Sequence, residues 1–446
     1  MGASDTPPTT IALPVFTVSP FRFLVALGVF CANFNNAVMW ATYAAVTPSA
    51  AHYYNCSEYV INLVALVFQI VFIPMAFPAM YVLDTWGLRY SILIGTWGVT
   101  AGALIRWLSY LGSEDARVPL LFLGQVVAAI ATPFAFNAPT KVCAAWFADN
   151  ERLTANTIMS LAIYAGTALA LGLGPAVIAD DPQNIIKLNC IIFVIVFVTG
   201  LTTLFVYDKP AIAPSKSAQE ESMPFKEGMK ALLGNWQFML IVLVFGLTAG
   251  SLDTYFTMIS DYITPYGYTE GDSGMLGIVT IVAGTISSLL ISIILDRTKA
   301  HRLCMKWLTV VAFAGALGFY FCAPYTERRV WLYICAVFIG MGGFSLAPIA
   351  LELGVECTYP VAEGSSAGLL QTSGQFFGVI VLVVSNAFRN SEDGTLGNAM
   401  IWRLGVCGLA MLAVPFYNAR SKRMELEANT IAEGFEKAED RAFLEA

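Results

Sequence analysis

Apolar residues in this chain gather into long unbroken runs, and polar residues into short gaps between them. Twelve such runs follow one another, roughly at 21–46, 60–83, 90–111, 118–140, 154–178, 186–207, 236–260, 274–295, 303–323, 330–352, 364–388 and 397–417. About 20 apolar residues in a helix cross the hydrocarbon core of a bilayer, so each run predicts a transmembrane helix. The connections are short except for residues 208–235, which are polar and rich in Pro and Ser. The pattern predicts an all-α membrane protein with twelve transmembrane helices: a six-helix bundle at 21–207, a cytosolic linker at 208–235, a second six-helix bundle at 236–417 and a cytosolic tail at 418–446. Residues 1–20, with Pro7, Pro8, Pro14 and Pro20, read as a disordered arm without the charged start and cleavage site of a removable signal peptide.

Composition excludes a soluble domain. Of 446 residues, 57% are hydrophobic and 12% charged, against about 25% charged in soluble domains. Trp and Tyr recur near the ends of the runs, as interfacial belts do. The net charge of −7 lies largely in loops and tail and carries no nucleic-acid signal. Nine Cys are scattered without CxxC pairs, several of them (Cys31, Cys190, Cys322, Cys407) inside apolar runs, where they read as small buried hydrophobes. His52 and His301 both fall in predicted loops, which leaves no His pair for intramembrane metal or haem. With no nucleophile–base pair, phosphate loop or metal-ligand cluster, neither an enzyme nor a bound cofactor is expected. No ATP-binding segment is present, so transport through such a chain would draw on a gradient. The partners implied are a small solute and the bilayer, with a monomer expected.

Charge sets the orientation. With the N-terminus in the cytosol, Arg22, Arg89, Lys141, Arg152, Lys209, Lys216, Lys226, Lys230, Arg297, Lys299, Arg302 and Lys306 face inward, as do Arg420, Lys422, Arg423, Lys437 and Arg441 of the tail. Arg117, Lys187, Arg328, Arg329 and Arg389 fall in outer loops, so the positive-inside rule is obeyed. The sequon Asn55-Cys56-Ser57 lies in the first outer loop. The plasma membrane is the expected location, with an endolysosomal membrane as the alternative.

One feature repeats between the halves. The second run ends Leu83-Asp84-Thr-Trp-Gly87-Leu-Arg89 and the eighth ends Leu295-Asp296-Arg297-Thr-Lys299. An acid at a helix end beside a base suits a gate that locks neighbouring helices while the cytosolic side is shut. Glu352, Glu356 and Glu363, in a short loop between the tenth and eleventh runs, read as further gate acids pairing with the bases between Arg297 and Lys306.

Candidate solute contacts lie mid-span. In the first run Asn33, Asn36 and Trp40 share a helical face, and Tyr43 continues it. The seventh run carries Asp253, the only carboxylate well inside a run, with Tyr255 beside it. An ionisable group in a membrane span is a functional hypothesis by default. Pairing with Arg106 is its structural alternative. Tyr164 lies mid-span in the fifth run and Gln375 in the eleventh, so residues 40, 164, 253 and 375 form a pseudo-symmetric quartet. A carboxylate with aromatic rings suits an organic cation. It equally suits a proton-coupling site.

Several segments together resemble one family. They are Asn36-Ala-Val-Met-Trp40-Ala-Thr-Tyr43, Phe77-Pro-Ala-Met-Tyr-Val-Leu-Asp84-Thr-Trp-Gly-Leu-Arg89, Ala145-Trp-Phe, and Glu352-Leu-Gly-Val-Glu356-Cys-Thr-Tyr359-Pro360 followed by Glu363-Gly364. In order along nearly the whole chain, they resemble the feline leukaemia virus subgroup C receptor-related family of the major facilitator superfamily. The resemblance implies the major facilitator fold and alternating access. It implies a small organic cation or amine as solute, choline- or ethanolamine-like, or pyridoxine-like as in the lysosomal disrupted-in-renal-carcinoma branch. In choline-type members a Trp of the first span, a Tyr of the seventh and Gln residues of the fifth and eleventh hold the cation. Trp40 and Gln375 match two of these positions, while Tyr164 replaces the fifth-span Gln and Asp253 stands about where the seventh-span Tyr would be. Haem or porphyrin transport, also claimed in the family, and a non-transporting receptor are the competing readings.

Overall fold

The computed structural model describes residues 19–43, 46–148, 150–178, 181–210, 223–268, 270–388 and 397–419. The predicted arm up to residue 18, the middle of the linker, Arg389 and the tail from 420 onward lie outside the described residues. Fifteen α-helices follow in order: α1 (Arg22–Ala41), α2 (Thr47–Tyr54), α3 (Glu58–Thr85), α4 (Leu88–Leu108), α5 (Glu114–Phe136), α6 (Ala138–Trp146), α7 (Arg152–Ile178), α8 (Ile185–Gly200), α9 (Phe225–Gly234), α10 (Trp236–Ile263), α11 (Glu270–Thr298), α12 (His301–Cys322), α13 (Arg329–Thr358), α14 (Glu363–Ala387) and α15 (Gly397–Ala413). Among the described residues there is no strand, and 12 spans are long and apolar enough to cross a membrane. Each falls on one of the predicted runs. One run holds two helices, because α5 and α6 meet at Asn137. The short α2 and α9 lie between spans.

One boundary differs from expectation. Glu352 and Glu356 are not in a loop; they sit on the last turns of the 30-residue α13, both buried. The helix can continue past the apolar run because Glu356 Oε1 meets His301 Nδ1 at 3.4 Å. His301 accordingly opens α12 as a buried residue instead of lying in a loop, and His52 lies on α2.

Helix neighbours repeat between the halves. In the first half α1 packs on α7, α3 and α4 on α5, and α4 on α8; in the second, α10 packs on α14, α11 and α12 on α13, and α12 on α15. Each pair of the first half has its counterpart in the second. The α1–α7 and α10–α14 crossings are close because glycine stands there. A Cβ on Gly166 would lie 2.4 Å from the Phe34 carbonyl oxygen of α1, and one on Gly250 would lie 2.6 Å from the Gly378 nitrogen of α14. In lipid, where apolar burial gives little drive, such small-residue contacts bring backbones into van der Waals range.

Between the halves α3 packs on α14 and α7 on α11, again a symmetric pair. The hydrogen bonds that join them cluster at the face carrying the start of α1 and the end of α15, called the terminal face below. The linker helix α9 lies on this face too. Its Phe225 ring packs edge-on against Tyr81 of α3, while the Met223 N–H donates to the Pro360 carbonyl between α13 and α14.

Candidate functional site

Arg106 in the first half and Arg403 in the second are both buried, and these two define what the site is not. Arg106 of α4 donates to the Met39 carbonyl at 3.2 Å, to Gln125 Oε1 at 3.3 Å and to Thr42 Oγ1 at 2.9 Å, and lies 4.9 Å from the Tyr43 ring centroid. The Tyr43 hydroxyl donates to Asn189 Oδ1 at 2.8 Å. Arg403 of α15 lies 5.1 Å from Tyr255, 5.8 Å from Tyr262 and 5.6 Å from Phe319. Tyr255 is fully buried and shares a 3.1 Å hydrogen bond with Thr280 Oγ1. Tyr43 and Tyr255 therefore turn into their own bundles as covers for guanidinium groups, away from a shared solute face. Burying a charge requires such satisfaction. Arg106 is occupied inside the first half and does not pair with Asp253.

The rest of the mid-span set lies on α1, α7, α10 and α14. Asp253 stands one turn beyond the Gly250–Gly378 crossing, and a Cβ at Gly378 would be 3.6 Å from its Oδ2. Asp253 is half-buried, and among the described residues its carboxylate accepts no hydrogen bond. Tyr164 of α7 is within electrostatic range of Asp253, and its ring sits 3.9 Å from that of Phe344 on α13. Phe256 adds an edge to the same Phe344 at 6.1 Å. Trp40 and Gln375 are half-buried on α1 and α14. Asn36 is tied back by a 3.4 Å bond from Nδ2 to the Thr132 carbonyl, which leaves its Oδ1 unpartnered. The quartet is staggered in depth. With Gly250 level with Gly378, Asp253 lies three residues further from the terminal face and Gln375 three residues nearer to it, about 9 Å apart along the axis at about 1.5 Å per residue.

At the terminal face the two repeated aspartates do the same thing in opposite directions. Asp296, at the end of α11, accepts from the Leu153 N–H at 3.1 Å, the Thr154 N–H at 2.8 Å and Thr154 Oγ1, so it caps the start of α7 in the other half. Asp84, at the end of α3, accepts from Ser365 Oγ at the start of α14, again in the other half, with Lys141 Nζ 3.7 Å away. Carboxylates at helix starts meet free N–H groups and the positive end of the helix dipole. A further link joins Thr157 Oγ1 and Ser292 Oγ at 2.6 Å.

The expected partner Arg89 is not part of this. Its side chain lies over Tyr207 at 4.8 Å and its N–H donates to Asp208 at 2.9 Å, inside the first half. Lys141 supplies the cation instead, anchored also on the Leu83 carbonyl. Of the acids assigned to the basic segment, Glu356 meets His301; Glu363 lies near Asp84 at the start of α14. Arg297, next to Asp296, is in the last turn of α11.

Sequence reasoning missed Ser365, Thr154 and Phe344. Ser365 lay within a Gly/Ser-rich entry to the eleventh span and Thr154 at the start of the fifth, so the signal was a hydroxyl in the first turn of a span. Phe344 gave none, since an aromatic in an apolar run reads as core. It also missed Asn137 and Asn156, which with Asn33 are buried amides without partners among the described residues.

Comparison with known proteins bears on the whole of this geometry. The Major Facilitator Superfamily model matches residues 26–382. The chain belongs to the major facilitator superfamily. The superfamily fold is seen in the E. coli fucose:proton symporter FucP, which has a TM-score of 0.71 and 15% identity over 90% of this chain and 99% of that one. Solute carrier family 49 member A3 of Danio rerio is 30% identical over 97% of this chain and 94% of its own length. The choline/ethanolamine transporter FLVCR1 of Felis catus is 27% identical over 87% of this chain and 71% of its own. Within the superfamily, these place the chain in the FLVCR and solute carrier 49 family. It is thus an integral, multi-pass membrane protein.

Proposed function

We propose that this superfamily member is a secondary transporter that moves a small organic cation or amine, choline-, ethanolamine- or pyridoxine-like, by alternating access. The observation that carries the reading is the Asp253 carboxylate, set mid-span without a hydrogen-bond partner among the described residues and bordered by Tyr164 across the two halves. Removing a carboxylate from water without a partner is costly, and a bound ammonium offsets that cost by direct attraction. Trp40 and Phe344 supply faces for the apolar part of such a solute, and Gln375 a neutral polar contact. The relative FLVCR1 of Felis catus is a choline/ethanolamine transporter, which agrees with that chemistry.

In this reading the terminal face is cytosolic, as the lysines and arginines along it imply. Asp84, Asp296, Ser365 and Thr154 then form the shut inner gate of an outward-facing state. The division into a bundle at 21–207, a linker at 208–235 and a bundle at 236–417 supplies the two bodies that rock. The chain works as a monomer.

The test is uptake of labelled choline, ethanolamine and pyridoxine into proteoliposomes holding the purified protein. Trp40→Ala and Asp253→Asn each abolish uptake of the transported solute while eluting as folded monomers. Uptake at wild-type rates in both variants would show that this is not the site.

A further inference from the structure

The helices α12 and α13 run antiparallel along a tight seam. A Cβ on Gly315 would stand 2.8 Å from the backbone nitrogen of Ile339. One turn further on, a Cβ on Gly318 would stand 2.6 Å from Cys335 Sγ. Cys322 closes α12 one more turn along, four residues after Gly318, and so lies on the same face. Its side chain points back toward the start of its helix, and that of Cys335 points back toward the start of α13. In an antiparallel pair those directions converge. The two thiols lie within interaction range of each other, and both are free. The turn that joins the two helices is fixed by the Tyr268 hydroxyl, which donates to the Tyr325 carbonyl at 2.8 Å. Cys357, by contrast, gives its thiol to the Gly354 carbonyl, and Cys407 pairs with the Ser251 hydroxyl.

We propose that Cys322 and Cys335 form a redox pair that a small-molecule disulfide closes into an α12–α13 disulfide. Cys322 is half-buried at the membrane edge and Cys335 is buried, so Cys322 reacts first. Its thiolate attacks one sulfur of the incoming disulfide, forms a mixed disulfide and releases one small thiolate. The Cys335 thiolate then attacks Cys322 Sγ and expels the second. The two protein thiols lose two electrons and two protons; the oxidant gains them as two small thiols. The glycine seam favours the second step by bringing the two backbones close at Gly315 and Gly318, since a disulfide needs its Cβ atoms within about 4.5 Å. Both cysteines belong to the second half, so the bond spares the movement between halves.

The test uses the purified full-length protein in detergent, treated with glutathione disulfide, alkylated, digested and read by mass spectrometry. The expected product is a peptide pair joined through residues 322 and 335, with two alkylatable thiols fewer. Cys335→Ser is expected to stop halfway, with a glutathione adduct retained on Cys322; Cys322→Ser is expected to leave Cys335 alkylatable after denaturation. Recovery of both thiols in alkylated form from treated wild-type protein overturns the proposal. So does a persistent glutathione adduct on wild-type Cys322 without the joined peptide.

Discussion

Three charges within the spans separate structure from function by what surrounds them. Arg106 has acceptors and a ring inside its own bundle, and Arg403 has three rings. The Asp253 carboxylate has no hydrogen-bond or ion-pair partner among the described residues. Removing the first kind damages folding. Arg106→Ala leaves Thr42, Gln125 and the Met39 carbonyl without their donor, and stability is expected to fall by about 3 kcal/mol, seen as a lower Tm of the purified protein. Tyr43→Phe removes the hydroxyl that donates to Asn189 and meets the Tyr54 hydroxyl at 3.4 Å, a loss of about 1 kcal/mol, and its KM for the transported solute stays at the wild-type value. A large rise in that KM would return Tyr43 to the solute site. The helical-face rule put Tyr43 beside Trp40, but α1 ends at Ala41 and Tyr43 lies in the turn beyond it. The rule holds only while the helix does. Tyr255 failed for a different reason: helical position shows which way a ring points, not which neighbour waits there, and Arg403 is 148 places further along the chain.

At the scale of the helix, both the crossings and the caps follow from small residues and acids at span ends. The α10–α14 crossing tolerates no side chain at residue 250. Gly250→Ala is expected to destabilise by about 2 kcal/mol or to block folding, since a Cβ there meets backbone. Gly172, with nothing within 4 Å, is the control. Alanine there is expected to be neutral or to stabilise by up to about 1 kcal/mol. Thermal melts of the two variants decide between them. The caps were half legible. The repeat of Leu-Asp at the ends of the second and eighth spans located Asp84 and Asp296. It did not show their partners, because Ser365 and Thr154 are hundreds of residues away or in the other half, and only the packing of α3 on α14 and α7 on α11 brings them together. Arg89, the nearest base in sequence, was the natural choice and the wrong one. It serves the α4 start through Asp208 and Tyr207 instead.

For the whole molecule, twelve spans and the six-plus-six pattern were readable because lipid demands long apolar helices, and their lengths are set by the bilayer. Which helices touch was not readable, and function depends on that. The neighbour pattern repeats between halves, and the terminal face holds them together through α3–α14 and α7–α11. If transport requires these to part, tying them stops it. Thr157→Cys with Ser292→Cys replaces a 2.6 Å hydroxyl pair in a background free of other cysteines. Uptake is expected to vanish on oxidation and to return on reduction. Unchanged uptake with the bond formed would mean that the two halves do not separate there.

The exchange of caps, Asp296 on α7 and Asp84 on α14, has an arithmetic of its own. Each carboxylate strengthens the shut terminal face by about 1 kcal/mol, which corresponds to about fivefold in the ratio of shut to open molecules. If the proposed alternating access parts this face, both contacts break in the same movement and their factors multiply. Losing one leaves a door that still stands mostly closed. Losing both moves the ratio by about thirtyfold. Under the proposed alternating access the molecule resembles a safe with two weak bolts thrown by one handle, and small changes at either bolt set how long it waits on each side of the membrane.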